Sequence, residues 1–183
     1  MKIVNITGSP RKKGTSIRIA NSFIDSLKDK GVEINTYHLN QMNFKGCQGC
    51  DICKQKSETC IQKDDLSIVL SDILNADIAV FSSPVYYGDV TGQFKSFFDR
   101  TWSFVGADYR SSRVPSGKKA VLILTQADVE SVHLDVVDRY TKFLTSYGFE
   151  IEIIRATGCG MEKNADVSYE ITKASEIAQK IGL

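Results

Sequence analysis

Residues 2–16 read KIVNITGSPRKKGTS and change character twice within that short stretch. Lys2–Thr7 is a β-like run that ends at a Gly-Ser-Pro turn signal. From Thr15 onward the apolar residues recur at helical spacing, and those on the shared face are Ile17, Ala20, Phe23, Ile24 and Leu27. The sequence therefore predicts a strand, a tight loop and a helix in direct succession.

The same alternation continues to the end of the chain. Gly31 stands where a helix C-cap is expected, and further strands are predicted at 32–39, 77–83, 120–124 and 149–154. Helices are predicted at 65–75, 91–103, 130–147 and 165–181. The third and fourth strands are apolar on both faces, which is typical of a parallel sheet covered by helices on each side. The expected fold is α/β: a flavodoxin-like, doubly wound, five-stranded parallel sheet of order 2-1-3-4-5.

The composition argues against several classes of protein. The 183 residues carry a formal net charge of +1 without a block of basic residues, which argues against nucleic-acid binding. No apolar stretch approaches the roughly 20 residues needed to span a membrane. The N-terminal apolar run meets Gly8-Ser9-Pro10 too early for a signal peptide, so a cytoplasmic protein is expected. The length predicts one domain, residues 1–183, with a cysteine-rich insertion at about 40–64.

The loop after the first strand has the chemistry of an anion site. Small hydroxyl residues and free backbone N–H groups at a helix N-terminus bind anions, and basic side chains add charge. The candidate phosphate ligands are Ser9, Arg11, Lys13, Gly14, Thr15 and Ser16. An ordinary turn capped by Thr15 or Ser16 is the competing interpretation.

The nature of the phosphate follows from the motifs that are missing. Five residues separate Gly8 from Gly14 and Thr15 follows, whereas a Walker loop has four residues and then Gly-Lys-Ser/Thr. The G-x-G-x-x-G fingerprint is absent, and the second strand ends in Tyr37-His38 instead of a ribose-binding acid. A monophosphate carried on a flat ring remains as the candidate ligand.

Two loops at this spacing resemble those of the NAD(P)H-dependent FMN reductase family. The first is Gly8–Arg11 followed by Gly14–Ser16, and the second is Ser82–Gly92, which continues into the matching stretch Phe94–Arg100. The resemblance implies FMN as cofactor. It implies that the isoalloxazine ring is contacted by Pro84, Val85, Tyr86, Tyr87, Gly88 and Asp89, with Thr125, Gln126 and Ala127 at its far edge. Many relatives have a glycine-rich stretch at the last position, and this chain does not.

The connection between the second strand and the next helix is unusually long and carries Cys47, Cys50, Cys53 and Cys60. C-x2-C-x2-C is the run with which bacterial ferredoxins hold an iron–sulfur cubane. Together with the flavin loops it resembles the iron–sulfur flavoprotein family, which implies a [4Fe–4S] cluster on these four cysteines. Zinc, free or disulfide-bonded thiols, and a vestigial segment are the alternatives.

The leading functional hypothesis is electron transfer through FMN, with the cluster exchanging electrons with a protein partner such as ferredoxin. The first alternative is an NAD(P)H-dependent reductase of FMN or quinone without a cluster, and the second is a thiol-based redox sensor. No side-chain acid or base is assigned, and Cys159, His38 and His133 receive no role. The family resemblance also implies a homodimer or a higher homo-oligomer.

Overall fold

The computed structural model describes residues 1–160 and 165–182, so the predicted extent of the domain, 1–183, includes five positions outside the described residues. The strands are β1 (Lys2–Thr7), β2 (Glu33–His38), β3 (Ile78–Tyr86), β4 (Asp89–Val90), β5 (Lys119–Thr125) and β6 (Glu150–Ala156). The α-helices are α1 (Thr15–Asp25), α2 (Ile52–Gln55), α3 (Leu66–Asn75), α4 (Gly92–Arg100), α5 (Leu134–Ser146) and α6 (Ser168–Ile181).

Five of the strands are parallel, in the order β2-β1-β3-β5-β6, and β4 pairs antiparallel with the end of β3. The α/β class and the parallel sheet agree with the sequence. The predicted count of five strands missed β4, because a two-residue strand is too short to show an alternating pattern.

Helices cover both faces of the sheet. One apolar cluster joins α1 and α6 to the residues on one face of the strands, among them Ile3, Val80 and Val121. The other joins α3, α4 and α5 to the opposite face, through residues such as Val4, Phe81 and Leu122. Because neighbouring strand residues point to opposite faces, both clusters need apolar side chains at consecutive positions, as the sequence has them.

Most element boundaries differ from the prediction by one to three residues, among them α6, which begins at Ser168 instead of 165, and four differences bear on the site or its loops. The third strand runs on through Pro84 to Tyr86, and the helix predicted from residue 130 begins at Leu134. The helix predicted over 91–103 ends at Arg100 and continues as a 3-10 turn to Phe104. Gly31, at φ 65°, ends a 3-10 turn at Lys28–Lys30 instead of capping α1.

Pro84 is tolerated in β3 because of its position in the sheet. The last pair between β1 and β3 is Thr7 with Ser82, so beyond Ser82 strand β3 has a parallel neighbour only in β5. A proline has no N–H to donate, and it fits where one side of a strand is unpaired. The strand thereby projects past the sheet and carries residues 84–86 toward the ends of β1 and β5.

Candidate functional site

Gly8 fixes the start of the loop after β1. Its N–H donates to the Ser82 carbonyl at 2.7 Å, and its own carbonyl accepts from Thr91 Oγ1 at 2.7 Å and Gln93 Nε2 at 2.6 Å. A Cβ at this position would lie 2.7 Å from Phe94 Cβ, so only glycine fits. The loop is therefore anchored to the beginning of α4.

The loop then curls on itself around Ser9. The Arg11 N–H donates to Ser9 Oγ at 3.2 Å, and the Gly14 N–H donates to the Arg11 carbonyl at 2.9 Å. A Cβ on Gly14 would lie 2.6 Å from Ser9 Oγ and 3.1 Å from the Arg11 carbonyl oxygen, so a larger residue there would displace the Ser9 hydroxyl. The curl brings Ser9, Gly14 and the first turn of α1 together.

The N-terminus of α1 has no side-chain cap, since its N-cap is Gly14. Ser16, in the first turn, is 1% exposed, and its hydroxyl has no hydrogen-bond partner within the described structure. Free N–H groups and a buried hydroxyl without a partner at a helix N-terminus are the features of an anion site. These residues fit the phosphate of FMN. The competing interpretation of the sequence was an ordinary turn with Thr15 or Ser16 as the N-cap. Neither side chain caps the helix.

The end of β3 and β4 form a hairpin whose two-residue turn is Tyr87-Gly88. Both residues have positive φ, 50° and 87°, as in the tight turns that suit the twist of a hairpin. A Cβ on Gly88 would meet nothing within 4 Å, so glycine is favoured there by its backbone conformation. Tyr86 is 41% exposed and Tyr87 is fully exposed, so neither ring belongs to the apolar core.

A cleft of about 800 Å³ lies between the two loops, within the ~300–1,000 Å³ typical of cofactor sites. Its wall contains most of the residues expected from the sequence: Arg11, Thr15, Pro84, Val85, Tyr86, Tyr87, Gly88, Thr125 and Gln126. Ser9, Gly14 and Ser16 are buried next to this wall, and Lys13 is exposed outside it.

Asp89 is not a cleft-lining residue in this structure. Its carboxylate accepts hydrogen bonds from Tyr140 at 3.1 Å and from Arg139 at 2.7 Å, both on α5. Asp89 thus ties the hairpin to α5.

The side chain of Gln126 organises the loop at the far edge of the cleft. Its Nε2 donates to the carbonyls of Val129 and Val132 at 2.9 and 3.0 Å, and its Oε1 accepts from Arg155 Nη2 at 3.0 Å. These bonds occupy the side-chain amide, and the Gln126 backbone is engaged as well, since its N–H donates to the Ala156 carbonyl at 2.9 Å and its carbonyl accepts from the Cys159 N–H at 2.9 Å. Gln126 therefore supports the loop. This loop has no glycine-rich turn, and the Gln126–Arg155 pair supports it instead.

Ala127, the last residue of the contact expected after β5, also lines the cleft, and the sequence missed four lining residues: Asp128, His133, Cys159 and Gly160. His133 Nε2 lies 2.9 Å from Asp128 Oδ2, and burial raises the pKa of the Cys159 thiol. All four follow the carboxyl ends of β5 and β6. Ligands in such sheets bind beyond these ends, so the predicted topology was a signal for them.

The four clustered cysteines line a second, much smaller pocket together with Arg100 and Trp102. Cys47 and Cys50 are exposed, Cys60 is partly buried and Cys53 is buried. Burial raises the pKa of the Cys53 thiol, against the opposing effect of the Lys54 ammonium. Within residues 1–160 and 165–182, no three His, Cys, Asp or Glu side chains converge as the ligands of a single metal ion do. A cubane differs, because each thiolate binds a different iron.

Lys54 and Asp51 attach the cysteine segment to the protein body. The buried Lys54 ammonium donates to the carbonyls of Trp102 and Val105 and lies 4.4 Å from the centre of the Trp102 ring. Asp51 accepts from Trp102 Nε1 at 3.0 Å and from the Tyr109 hydroxyl at 3.4 Å. These contacts hold the C-x2-C-x2-C turn against the protein body, and its three sulfur donors together with that of Cys60 fit an iron–sulfur cluster.

Comparison with known proteins agrees with this geometry. The family model described as NADPH-dependent FMN reductase matches residues 1–133. The chain belongs to the NADPH-dependent FMN reductase family. An iron-sulfur flavoprotein of Archaeoglobus fulgidus is 30% identical to this family member over 181 residues, 99% of this chain and 79% of that protein. One of Methanocaldococcus jannaschii is 34% identical over 128 residues, 70% of this chain; the match covers 63% of that protein, less than two thirds of its length.

Solved structures share the fold of this FMN reductase family member. The FMN-dependent NADH-azoreductase from Bacillus anthracis, in complex with FMN, superposes with a TM-score of 0.75 at 15% identity, over 100% of both chains. The NAD(P)H:quinone oxidoreductase from Methanothermobacter marburgensis gives 0.74 at 18% identity, over 100% of this chain and 98% of the other. No helix among the described residues is long and apolar enough to cross a membrane.

Proposed function

We propose that this protein is an FMN-dependent oxidoreductase that also carries a [4Fe–4S] cluster and transfers electrons between the two. The observation that carries the proposal is the convergence of four cysteines on one small pocket, in a chain whose other cleft fits a flavin mononucleotide. The relatives named iron-sulfur flavoproteins support the pairing.

In this proposal the loop after β1 binds the phosphate. The free N–H groups of the α1 terminus and the Ser16 hydroxyl donate hydrogen bonds, and Arg11 at the rim supplies charge. Lys13 is exposed nearby and adds positive potential without a direct contact. The buried position of Ser16 excludes water from the hydroxyl that meets the phosphate.

The hairpin and the β5 loop orient the ring. Pro84–Gly88 provide one edge with a rigid turn and an aromatic surface, and Thr125 and Gln126 line the other edge. FMN accepts two electrons and releases them singly, which suits it to work beside a one-electron centre. The chain's own task is to hold the ring and keep its hydrogen-bonding partners fixed.

The cysteine segment is the second half of the proposal. Cys47, Cys50, Cys53 and Cys60 are the proposed cluster ligands, and the exposure of Cys47 and Cys50 leaves one side of the site open to a protein partner. The proposed electron donors and acceptors are ferredoxin-like proteins and NAD(P)H. A homodimer in the cytoplasm is part of the same proposal.

A cluster-free NAD(P)H-dependent FMN or quinone reductase is the second candidate. The cleft favours it to the extent that about 800 Å³ leaves room for a second flat molecule beside a flavin ring. In that case the cysteines take no part in turnover.

A pair of cysteine variants separates the two candidates. In protein prepared without oxygen, Cys50→Ser should remove the iron-dependent absorption, keep FMN bound, and slow reduction by a one-electron donor at least tenfold while NAD(P)H-driven reduction changes little. Cys159→Ser is the control for iron content alone, because Cys159 lies outside the cysteine pocket although it lines the flavin cleft, and it should retain the iron. Equal one-electron kinetics in wild type and Cys50→Ser would favour the cluster-free reductase.

A further inference from the structure

Arg100, the last residue of α4, is the most deeply buried charged residue in the part of the chain that the structure describes, at 1% exposed. Its guanidinium reaches into the cysteine segment, where Nε donates to Cys60 Sγ at 3.1 Å. Nη1 donates to the Lys45 carbonyl at 2.8 Å, and Nη2 donates to the Gln62 carbonyl at 3.3 Å. The side chain therefore touches this segment on both sides of its cysteines.

Asp64 takes the remaining donors. Its two oxygens accept from Nη1 at 2.8 Å and from Nη2 at 3.2 Å, in the two-pronged geometry that suits arginine and a carboxylate. Burial opposes ionisation of Asp64, but hydrogen bonds from Arg100 and from the Lys45 and Leu66 N–H groups outweigh it and hold its pKa below the usual range. Asp64 is thus a carboxylate that partly compensates the buried cation.

All five N–H donors of Arg100 form hydrogen bonds, and one of them donates to a sulfur atom. A cation in the last turn of a helix is favourable in itself, and clamping a loop needs only the carbonyls and the carboxylate. Neither role explains the bond to Cys60, because a neutral thiol is a weak acceptor. A thiolate bound to iron is negatively charged and is a far better partner for a buried guanidinium.

We propose that Arg100 is a positioning residue for Cys60 that raises the reduction potential of the [4Fe–4S] cluster, with Asp64 moderating its effect. The inference rests on the proposed function, in which Cys60 is a cluster ligand. Hydrogen bonds to cluster sulfurs and nearby charges are established determinants of such potentials. Reduction adds a negative charge to the cluster, and a fixed buried cation stabilises the reduced form.

The test compares cluster potentials in the anaerobic holoprotein by redox titration followed by visible absorbance and electron paramagnetic resonance. At a fixed ambient potential, Arg100→Gln should lower the ratio of reduced to oxidised cluster about tenfold, or about 59 mV for a one-electron couple. Asp64→Asn should change the ratio in the opposite direction, because it leaves the Arg100 charge uncompensated. Arg100→Lys keeps the charge but loses the planar, two-pronged guanidinium. Its ratio of reduced to oxidised cluster should therefore lie between those of wild type and Arg100→Gln.

Asp65→Asn is the matched control, since Asp65 is the exposed neighbour of Asp64 and makes its hydrogen bond to the Asn43 N–H. Its ratio should stay within twofold of wild type, because solvent screens an exposed charge. A purely structural clamp predicts that Arg100→Gln and Asp64→Asn shift the potential in the same direction or leave it unchanged. Either result would overturn the proposal.

Three further outcomes remain decisive. If Arg100→Gln does not fold or hold iron, Arg100→Lys and Asp64→Asn decide by the sign of their shifts. If wild-type protein takes up no iron and sulfide under anaerobic reconstitution, the proposed function fails and the role of Arg100 fails with it. If wild type holds a cluster but the signs are not opposed, only the role of Arg100 is refuted.

Discussion

Ser16 has a buried hydroxyl without a partner at the uncapped start of α1. Such a group costs free energy in the ligand-free protein and gains a charged partner when a phosphate binds. Ser16→Ala should therefore weaken FMN binding about tenfold or more, measured by flavin fluorescence quenching, without lowering the melting temperature of the FMN-free protein.

Thr141 provides a control for this experiment, because its hydroxyl is also buried without a partner in the described structure but belongs to α5. Thr141→Ala should leave FMN affinity unchanged. Equal FMN affinities in wild type and Ser16→Ala would remove the phosphate from this site.

Gly88 tests the position of the ring. Its φ of 87° is unfavourable for any side chain, although a Cβ there would meet no neighbour. Gly88→Ala should cost about 1–3 kcal/mol of stability through backbone strain and also shift FMN affinity or potential, because the turn faces the cleft.

Gly117 separates these two effects. Gly117 has a φ of 78° and lies outside the cleft, and a Cβ there would meet nothing within 4 Å. Gly117→Ala should therefore reproduce the loss of stability without changing FMN binding. If both variants behave alike toward FMN, the ring does not contact the β3–β4 hairpin.

At the scale of secondary-structure elements, the long apolar strands and helices were predictable because their periodicity is strong. The β3–β4 hairpin was not predictable. Pro84 is typical of a turn, and Tyr87 adopts a positive φ that its residue type does not suggest. The contacts that hold the cysteine segment against the protein body could not be predicted from the sequence either. Its anchors, Trp102 and Arg100, lie 48 and 40 positions from their partners Lys54 and Cys60, and such distant pairs leave no local pattern.

Asp72 of α3 joins three elements and gives the fold a pH-dependent contribution. It accepts from Lys2 Nζ at 2.7 Å, Tyr37 at 2.6 Å and Asn35 at 2.8 Å, while Glu33 lies 3.3 Å from the same ammonium. Burial opposes ionisation of Asp72, but these partners prevail and its pKa lies below the ordinary 3.8. The carboxylate therefore stabilises the fold fully above that value, and its contribution is lost as the pH falls through the lowered pKa.

Asp72→Asn should lower the free energy of unfolding by about 1–2 kcal/mol at pH 7. The difference from wild type should shrink below about pH 4, as measured by urea titration at several pH values. The exposed Asp138, paired with Lys142 on α5, is the control, and Asp138→Asn should change stability by less than about 0.5 kcal/mol. A difference that stays constant down to pH 3 would contradict the assignment.

At the scale of the whole molecule, α4 links the two candidate sites. Its first turn follows Thr91, whose hydroxyl holds the Gly8 carbonyl of the phosphate loop, and its last residue holds Cys60. Nine residues make this helix roughly 13 Å long. One rigid element thus sets the spacing between the flavin cleft and the cysteine pocket.

The locations of the candidate flavin cleft and the candidate cysteine site could be predicted from the sequence. The predicted topology places ligands after β1 and β3, and C-x2-C-x2-C is a recognisable cluster motif. Individual roles could not. Asp89 turned toward α5 and Gln126 was occupied by Arg155, since both outcomes depend on residues brought close only by folding.

The central claim is that one chain carries both a flavin and a cubane, and the cofactor content of protein purified and reconstituted without oxygen tests it most directly. The account predicts one FMN, about four irons and about four sulfides per chain, as a [4Fe–4S] centre requires. Protein that binds one FMN but takes up no iron or sulfide after reconstitution would contradict it.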